Sequence, residues 1–187
     1  MVGLYPPEGG EVLLNGERVE ADGWDAYRQL FSVVFSDFHL FGRLLEAPRD
    51  GLDEEGNRLL AKLHLQHKVR VENGAFTTQA LSQGQRKRLA LVVAYLEGRP
   101  FLVFDEWAAD QDPLFKEVFY CEVLLELKRM GKAVLVITHD DRYFHLADRL
   151  VRLESGKLLA AGQTTDEQSI GAEVGASEED VKIGSID

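Results

Sequence analysis

Two short, continuous apolar runs separated by an amphipathic stretch dominate the second half of the chain. Residues 101–104 and 133–137 are apolar throughout, which is the pattern of strands buried on both faces. Between them, residues 113–129 show helical spacing of apolar positions, with Pro113 in the first turn and Gly131 after the end. Strand, helix and strand in this order predict an α/β fold built on a parallel sheet covered on both faces.

The remaining apolar positions predict further elements around that sheet. Residues 31–35 are a third short apolar run of the buried-strand type. Helices are predicted over residues 24–30, 54–65 and 83–96, and over a short stretch that ends near residue 147. Hairpins are predicted over residues 11–19 and 149–159. In the first of them, Asn15-Gly16 supplies a tight turn.

Composition narrows the class of protein. The chain of 187 residues is long enough for one mid-sized domain, and no run approaches the roughly 18–20 apolar residues of a membrane-spanning helix. The net charge of −11 argues against a broad basic face for nucleic acid. Residues 161–187 hold seven acidic residues against one basic residue, which predicts a disordered acidic tail. The single cysteine, Cys121, fits a reducing cytosol.

Polar side chains follow the two apolar strands at the edge where parallel sheets bind ligands. Asp105 and Glu106 follow the first strand, and His139 follows the second. Such a pair of acids is typical of a magnesium–nucleotide site, where the first helps to hold Mg²⁺ through water and the second orients or deprotonates the attacking water. By themselves, however, strand-end acids can merely cap the next helix, and His139 can be a hydrogen-bonded loop residue.

A second candidate site lies at the start of the helix predicted from residue 83. Ser82 is a good N-cap, the first-turn N–H groups would point at an anion, and Gly84 allows close approach of a phosphate. The alternative is an ordinary capped helix.

Taken together, these motifs resemble those of the ATP-binding cassette (ABC) ATPases. Residues 81–85, with Gln83 where Gly is commoner, resemble the ABC signature motif, and residues 101–106 resemble the Walker B strand with its catalytic glutamate. Residues 110–112 fall where the family has its D-loop, with Asp112 as the loop's aspartate, and His139 lies in a segment similar to the switch-histidine loop. Trp107 is assigned no chemistry.

This resemblance covers about residues 3–160 and implies a P-loop NTPase-like ABC core, a mostly parallel sheet flanked by helices. It implies a partial ATPase domain over residues 1–160, with a helical signature subdomain at about 42–97, followed by the tail at 161–187. It also implies ATP and Mg²⁺, with Glu106 and His139 as catalytic residues and Asp105 near the metal. The signature residues would contact a nucleotide held by a second ABC ATPase domain, and these residues are Ser82, Gln83, Gly84 and Gln85.

Within the family, residues 3–16 and 32–41 resemble the ATPase part of cyclic-peptide and siderophore exporters. Ser36 stands where most ABC proteins have the glutamine that reaches Mg²⁺, and it offers an oxygen on a shorter arm. The resemblance implies coupling of ATP binding and hydrolysis to export. It also implies a transmembrane partner domain and a position at the cytoplasmic face of the inner or plasma membrane, while the net charge of −11 argues against a nucleic-acid partner.

The family's phosphate-binding Walker A loop, which ends in Gly-Lys-Ser or Gly-Lys-Thr, does not occur in these 187 residues. We therefore expect an N-terminally truncated domain that has no useful ATP affinity and no hydrolysis on its own. Two other hypotheses are a non-catalytic partner that contributes a signature motif to an intact ABC subunit, and a soluble ABC ATPase of DNA repair or translation. The net charge of −11 disfavours the last.

Overall fold

The computed structural model describes residues 2–37 and 50–163, with side chains to residue 159. The chain divides into two compact units. Among the described residues, one unit comprises residues 2–8, 20–37 and 50–139, and the other comprises residues 9–19 and 140–163. All of the catalytic and signature residues named above belong to the first unit.

A three-stranded parallel sheet forms the centre of the first unit. Its strands are β3 (Phe31–Val34), β6 (Phe101–Asp105) and β7 (Ala133–Ile137), in the order β3-β6-β7. This confirms the predicted parallel sheet. The prediction that both faces of the strands are buried is confirmed for the central residues of β6. It is wrong for β7, whose residues are half-buried or exposed. Strand β7 lies at an edge of the described sheet, and its main contacts are with β6 and with the helix at residues 124–129.

The described part of the first unit also contains α-helices, of which the one at residues 83–96 packs against β3 and the one at residues 124–129 packs against β7. They are α1 (Trp24–Arg28), α2 (Leu52–Lys62), α3 (Gln83–Leu96), α4 (Pro113–Glu117) and α5 (Leu124–Arg129), with a π-helical segment at Val118–Val123 between the last two. The bounds predicted for α3 are confirmed. Helix α2 ends earlier than predicted, because His64 takes up a left-handed conformation (φ 55°) just after Leu63.

A small hairpin was missed by the sequence analysis. Strands β4 (Val71–Glu72) and β5 (Ala75–Phe76) are joined by Asn73 and Gly74, both with positive φ. The Asp53 carboxylate at the start of α2 accepts from both turn N–H groups, at 2.6 and 3.0 Å. Asn-Gly is a strong hairpin signal and could have revealed this turn.

One carboxylate joins three helices of the first unit. Glu126 on α5 accepts hydrogen bonds from Lys62 on α2 and from Tyr95 on α3. Burial raises the pKa of Glu126, but these hydrogen bonds outweigh burial and hold the pKa below its ordinary value. The carboxylate therefore stays ionised at neutral pH and fixes the far end of α3 against its neighbours.

The second unit contains the two predicted hairpins. Strands β1 (Leu13–Leu14) and β2 (Glu17–Arg18) form one, and β8 (Arg149–Glu154) and β9 (Lys157–Gln163) form the other. The short helix predicted to end near residue 147 is a 3₁₀ helix, Asp141–Leu146. Strand β9 extends three residues beyond the predicted start of the acidic tail, and the rest of that tail lies outside the described residues.

Part of the predicted signature subdomain also falls outside the described residues. Positions 42–49 are not described, whereas residues 50–97 contain α2, the β4–β5 hairpin and α3. Among the described helices, none has the length and apolar character needed to cross a bilayer.

Candidate functional site

Three strand ends meet at one edge of the parallel sheet. The register pairs Val34 with Phe104, and Phe104 with Val136, so β3, β6 and β7 finish level with one another. Ser36 follows β3 in an exposed turn, and Asp105 closes β6 in a half-buried position. Glu106 and His139 therefore come from adjacent strands, as the sequence predicted.

Glu106 has an unusual backbone conformation. Its φ of 50° lies in the left-handed region, which is uncommon for a residue with a long side chain. Its N–H donates to the carbonyl of Ile137 (3.0 Å), and its own carbonyl accepts from the N–H of Ala109 (3.2 Å). These bonds hold a strained turn directly after the strand, and strain of this kind is concentrated at functional sites.

The Glu106 and His139 side chains lie together. Glu106 Oε1 is 3.3 Å from His139 Nε2, and the side chains are 28% and 97% exposed. The two atoms are not aligned as a hydrogen bond, and within the described parts of the chain Oε1 is buried with no hydrogen-bond partner. A buried carboxylate oxygen that lacks a donor is poised to accept one, such as a water proton, while the imidazole is open to an incoming ligand.

The loop that carries His139 is anchored to the π-helical segment. The hydroxyl of Tyr120 donates to Oγ1 of Thr138, at 3.1 Å. Tyr120 is buried and belongs to the Val118–Val123 segment. The contact therefore connects the loop of His139 to an irregular part of the fold. π-Helical turns are rare in proteins overall, and those that occur are often found at functional sites.

The signature turn, residues 82–85, forms a complete capping box at the start of α3. Ser82 Oγ accepts from the N–H of Gln85 (3.4 Å), and the Gln85 side chain accepts from the N–H of Ser82 (3.0 Å). Gln83 is exposed and Gly84 is half-buried in the same turn. The predicted N-cap is confirmed, and the turn presents an N-terminal helix end of the kind that binds anions.

Replacing Ser82 with Ala is expected to lower the free energy of unfolding by about 1 kcal/mol, because the reciprocal bonds of the capping box are lost. Urea denaturation measures the change. Ser82→Asp keeps an acceptor at the cap and should retain most of the stability. Ser36→Ala, in an exposed turn, is the control and should change the value by less than about 0.5 kcal/mol. Equal losses in Ser82→Ala and Ser36→Ala would show that the cap contributes nothing.

Asp112 has a structural role in this chain that the sequence did not predict. Its carboxylate caps α4 by accepting from the N–H of Phe115, at 3.2 Å. Burial lowers the pKa of the nearby Arg88 guanidinium, and the charge of Asp112 partly offsets that shift. Arg88 also lies over the Phe115 ring, 3.5 Å from its centroid. The start of α4 is thereby fixed against α3.

Four residues next to these motifs make contacts that the sequence analysis did not predict. They are Lys87, Trp107, Asp110 and Gln111, which connect α3 to the segment after Glu106. Trp107 is almost completely buried, and its indole N–H donates to the backbone carbonyl of Lys87, at 2.8 Å. A lysine on the apolar side of a predicted helix was the signal that could have revealed them.

The predicted site residues form two groups. Glu106 and His139 make one pair, and the signature turn of residues 82–85 lies beside Gln111. In the described ranges, no hydrogen bond or ion pair joins the signature turn to Glu106 or His139. This separation is compatible with two surfaces that contact different nucleotides.

The donor chemistry at the sheet edge suits magnesium that arrives with a phosphate. Asp105 offers carboxylate oxygens and Ser36 a hydroxyl, and oxygen ligands are those that Mg²⁺ prefers. Over residues 2–37 and 50–163, no group of three or more His, Cys, Asp or Glu side chains could hold a metal ion. One or two protein oxygens together with substrate phosphates are the usual Mg²⁺ set at nucleotide sites, and the residues present fit that arrangement.

Comparisons with known proteins agree with this geometry. A sequence model of the family described as ABC transporter matches residues 1–109. The ATP-binding protein SyrD of Pseudomonas syringae pv. syringae is 53% identical over 161 residues, which make up 84% of this chain and 28% of that protein. The chain thus spans between a quarter and a third of the length of this relative.

Solved structures share the fold. The structure of cbiO1 from Clostridium perfringens, part of the ABC transporter complex cbiONQ, superposes with a TM-score of 0.68 at 20% identity, covering 88% of this chain and 70% of that chain. A bacterial Atm1-family ABC exporter with ATP bound gives a TM-score of 0.67 at 19% identity, covering 87% and 30%. At these identities the likeness concerns the fold alone.

Proposed function

Because this chain belongs to the ABC transporter family, we propose that it supplies the hydrolytic strand ends and the signature turn of an ATPase that drives export. The observation that carries the proposal is the Glu106–His139 pair. It places a buried carboxylate oxygen without a hydrogen-bond partner among the described residues 3.3 Å from an exposed imidazole, at the ligand-binding edge of a parallel sheet.

In this proposal each residue of the pair has a separate task. Glu106 acts as the general base that orients the attacking water and accepts its proton. His139, which is almost fully exposed, contacts the terminal phosphate of ATP. Asp105 and Ser36 would hold Mg²⁺ through their oxygens, and the bound ion would supply positive charge that neutralises the phosphates. The strained turn at Glu106 keeps the carboxylate directed to this edge.

The signature turn serves a nucleotide held elsewhere. Ser82, Gln83, Gly84 and Gln85 would contact the terminal phosphate of an ATP bound by a second ABC ATPase domain. The exposed N-terminus of α3 supports this role, because its N–H groups and helix dipole favour an anion. A transmembrane domain would be the second partner, and it would place the chain at the cytoplasmic face of the membrane.

Export, with a cyclic peptide or siderophore as cargo, is the finer part of the proposal. It rests on residues 3–16 and 32–41, which resemble exporters of that type. Residues 38–41 of the second segment lie outside the described residues. The structural neighbours do not bear on the direction of transport, because they share only the fold.

The chain by itself is expected to show no ATP turnover above background, because none of its 187 residues forms a Gly-Lys-Ser or Gly-Lys-Thr phosphate loop. A fusion that places the phosphate-loop strand and helix of a related exporter ATPase before Met1 should hydrolyse ATP. Phosphate release measures both. The control is the same fusion with the lysine of its added loop replaced by alanine. Turnover by the unfused chain would contradict the proposal.

A non-catalytic role is the second candidate, favoured by the exposed signature turn. An intact ABC ATPase domain with a disabled signature serine would then regain hydrolysis when the chain is added. This role would be favoured over the first if the added chain restores hydrolysis in that domain and the fusion itself hydrolyses no ATP.

A further inference from the structure

Lys87 is a buried lysine just after the signature turn on α3. Its side chain is 3% exposed, and its Nζ donates to Oδ2 of Asp110 at 2.6 Å. Asp110 is 61% exposed and lies four residues after Glu106. Burying an ammonium group is costly unless it is paired, and an apolar residue would fill the same space at lower cost. The lysine is thus explained by the contact it makes rather than by packing.

Two further hydrogen bonds connect the same two segments. The Gln111 side-chain N–H donates to the carbonyl of Gly84 in the signature turn (3.4 Å), and the Trp107 indole N–H donates to the carbonyl of Lys87 (2.8 Å). Gln111 is buried, and its Oε1 has no hydrogen-bond partner in the described parts of the chain. A buried amide oxygen without a hydrogen-bond partner is unfavourable. We therefore attribute the presence of Gln111 to the hydrogen bond that its N–H group makes.

We propose that Lys87, Asp110 and Gln111 are positioning residues that form a brace between the signature turn and the segment after Glu106. The brace holds residues 82–85 at a fixed place relative to residues 107–111. This inference rests on the proposed function, in which both segments face nucleotide. A shift of the strand end that carries Glu106 would then move the signature turn with it, so the two nucleotide-contacting surfaces of one chain change position together.

The charge state of the pair supports this coupling. The hydrogen bond and positive charge of Lys87 hold the pKa of Asp110 below its ordinary value. The carboxylate is therefore ionised at neutral pH, where nucleotide would be bound. At the other end of α3, Glu126 provides a separate anchor through Tyr95. Substitutions should therefore be able to weaken the contacts at one end of α3 without changing those at the other end.

Amide hydrogen exchange on the full chain tests the brace without nucleotide. In Lys87→Met, which leaves no buried charge, the amides of Gln85 and Arg86 should exchange at least about tenfold faster, as the loss of one charge-assisted bond predicts. Amides near Tyr95 should keep their rates. The Trp107 indole N–H resonance should shift, because its acceptor is the carbonyl of Lys87. Asp110→Asn and Gln111→Leu should give the same pattern.

Glu126→Gln is the matched control, since it weakens the opposite end of α3. It should speed exchange near Tyr95 and leave Gln85, Arg86 and the Trp107 resonance unchanged. Lys87→Arg, which restores the charge, should recover part of the protection at the signature turn. Uniform acceleration along α3 in Lys87→Met, or no acceleration at Gln85 and Arg86, overturns the brace. Because no ATP is used, this outcome is independent of whether the fusion hydrolyses ATP.

Discussion

Replacing Glu106 with Gln in the fusion protein is expected to lower ATP hydrolysis about 10²–10⁴-fold, the usual contribution of a positioned general base. Glutamine has nearly the same shape but cannot accept the proton of the attacking water. Its side-chain oxygen can still face His139, so the turn at φ 50° and the contact with the neighbouring strand should persist. Nucleotide binding should therefore stay within about threefold of the unmodified fusion, or about 0.65 kcal/mol, because the substitution keeps the shape of the side chain and removes no group proposed to contact the phosphates.

Two measurements separate this effect from a general loss of structure. Single-turnover hydrolysis gives the chemical step, and fluorescent-nucleotide titration gives binding. Glu117→Gln removes another carboxylate, on the exposed side of α4, and should leave both values unchanged. His139→Ala should also slow hydrolysis but weaken binding as well, since the imidazole is placed to contact phosphate. A Glu106→Gln fusion that turns over at the original rate would show that another group is the base.

The location of this pair could be predicted from sequence, but its geometry could not. Parallel strands end at the same edge, so residues after two apolar runs had to lie near each other, and the register confirms it. The left-handed turn at Glu106 has no sequence signal, because glutamate rarely adopts it and only the surrounding hydrogen bonds hold it there. The catalytic roles of Glu106 and His139 stay predictions.

Long periodic elements were predicted well, and local irregularities were not. The bounds of α3 and the pairing of β8 with β9 agree with the apolar pattern, because many positions contribute to each signal. The helix predicted over residues 113–129 is interrupted by the π-helical segment Val118–Val123. One extra residue per turn does not change which residues are apolar, so the pattern could not show it.

Side-chain pairs that depend on tertiary packing were beyond the sequence. The place of Lys87 on the apolar side of α3 was a signal of burial, against the ordinary expectation of an exposed lysine, but the sequence could not identify the partners of its side chain. Only the approach of Asp110 and the indole of Trp107 explains its burial. Trp107, to which the sequence assigned no chemistry, is a core residue that connects two predicted site segments.

Replacing Phe119 with Ala is expected to cost about 3–5 kcal/mol of unfolding free energy, the range for a buried phenylalanine that leaves a cavity. Phe119 has no exposed surface, and its ring centroid lies 4.4 Å from that of Trp107 and 5.2 Å from that of Phe104. The ring thus supports both the end of β6 and the residue after Glu106. A loss of this size is a large fraction of the roughly 5–15 kcal/mol that stabilises a domain.

Urea denaturation followed by tryptophan fluorescence measures this change, because the Trp107 indole is buried in the folded chain and becomes exposed to water on unfolding. Leu114→Ala is the matched control on α4: its side chain is 54% exposed, so the substitution should alter stability by no more than about 0.5 kcal/mol. Phe119→Leu should fall between the two, since leucine fills part of the cavity. If Phe119→Ala cost less than about 1 kcal/mol, the described aromatic cluster would not stabilise the end of β6 and the residue after Glu106.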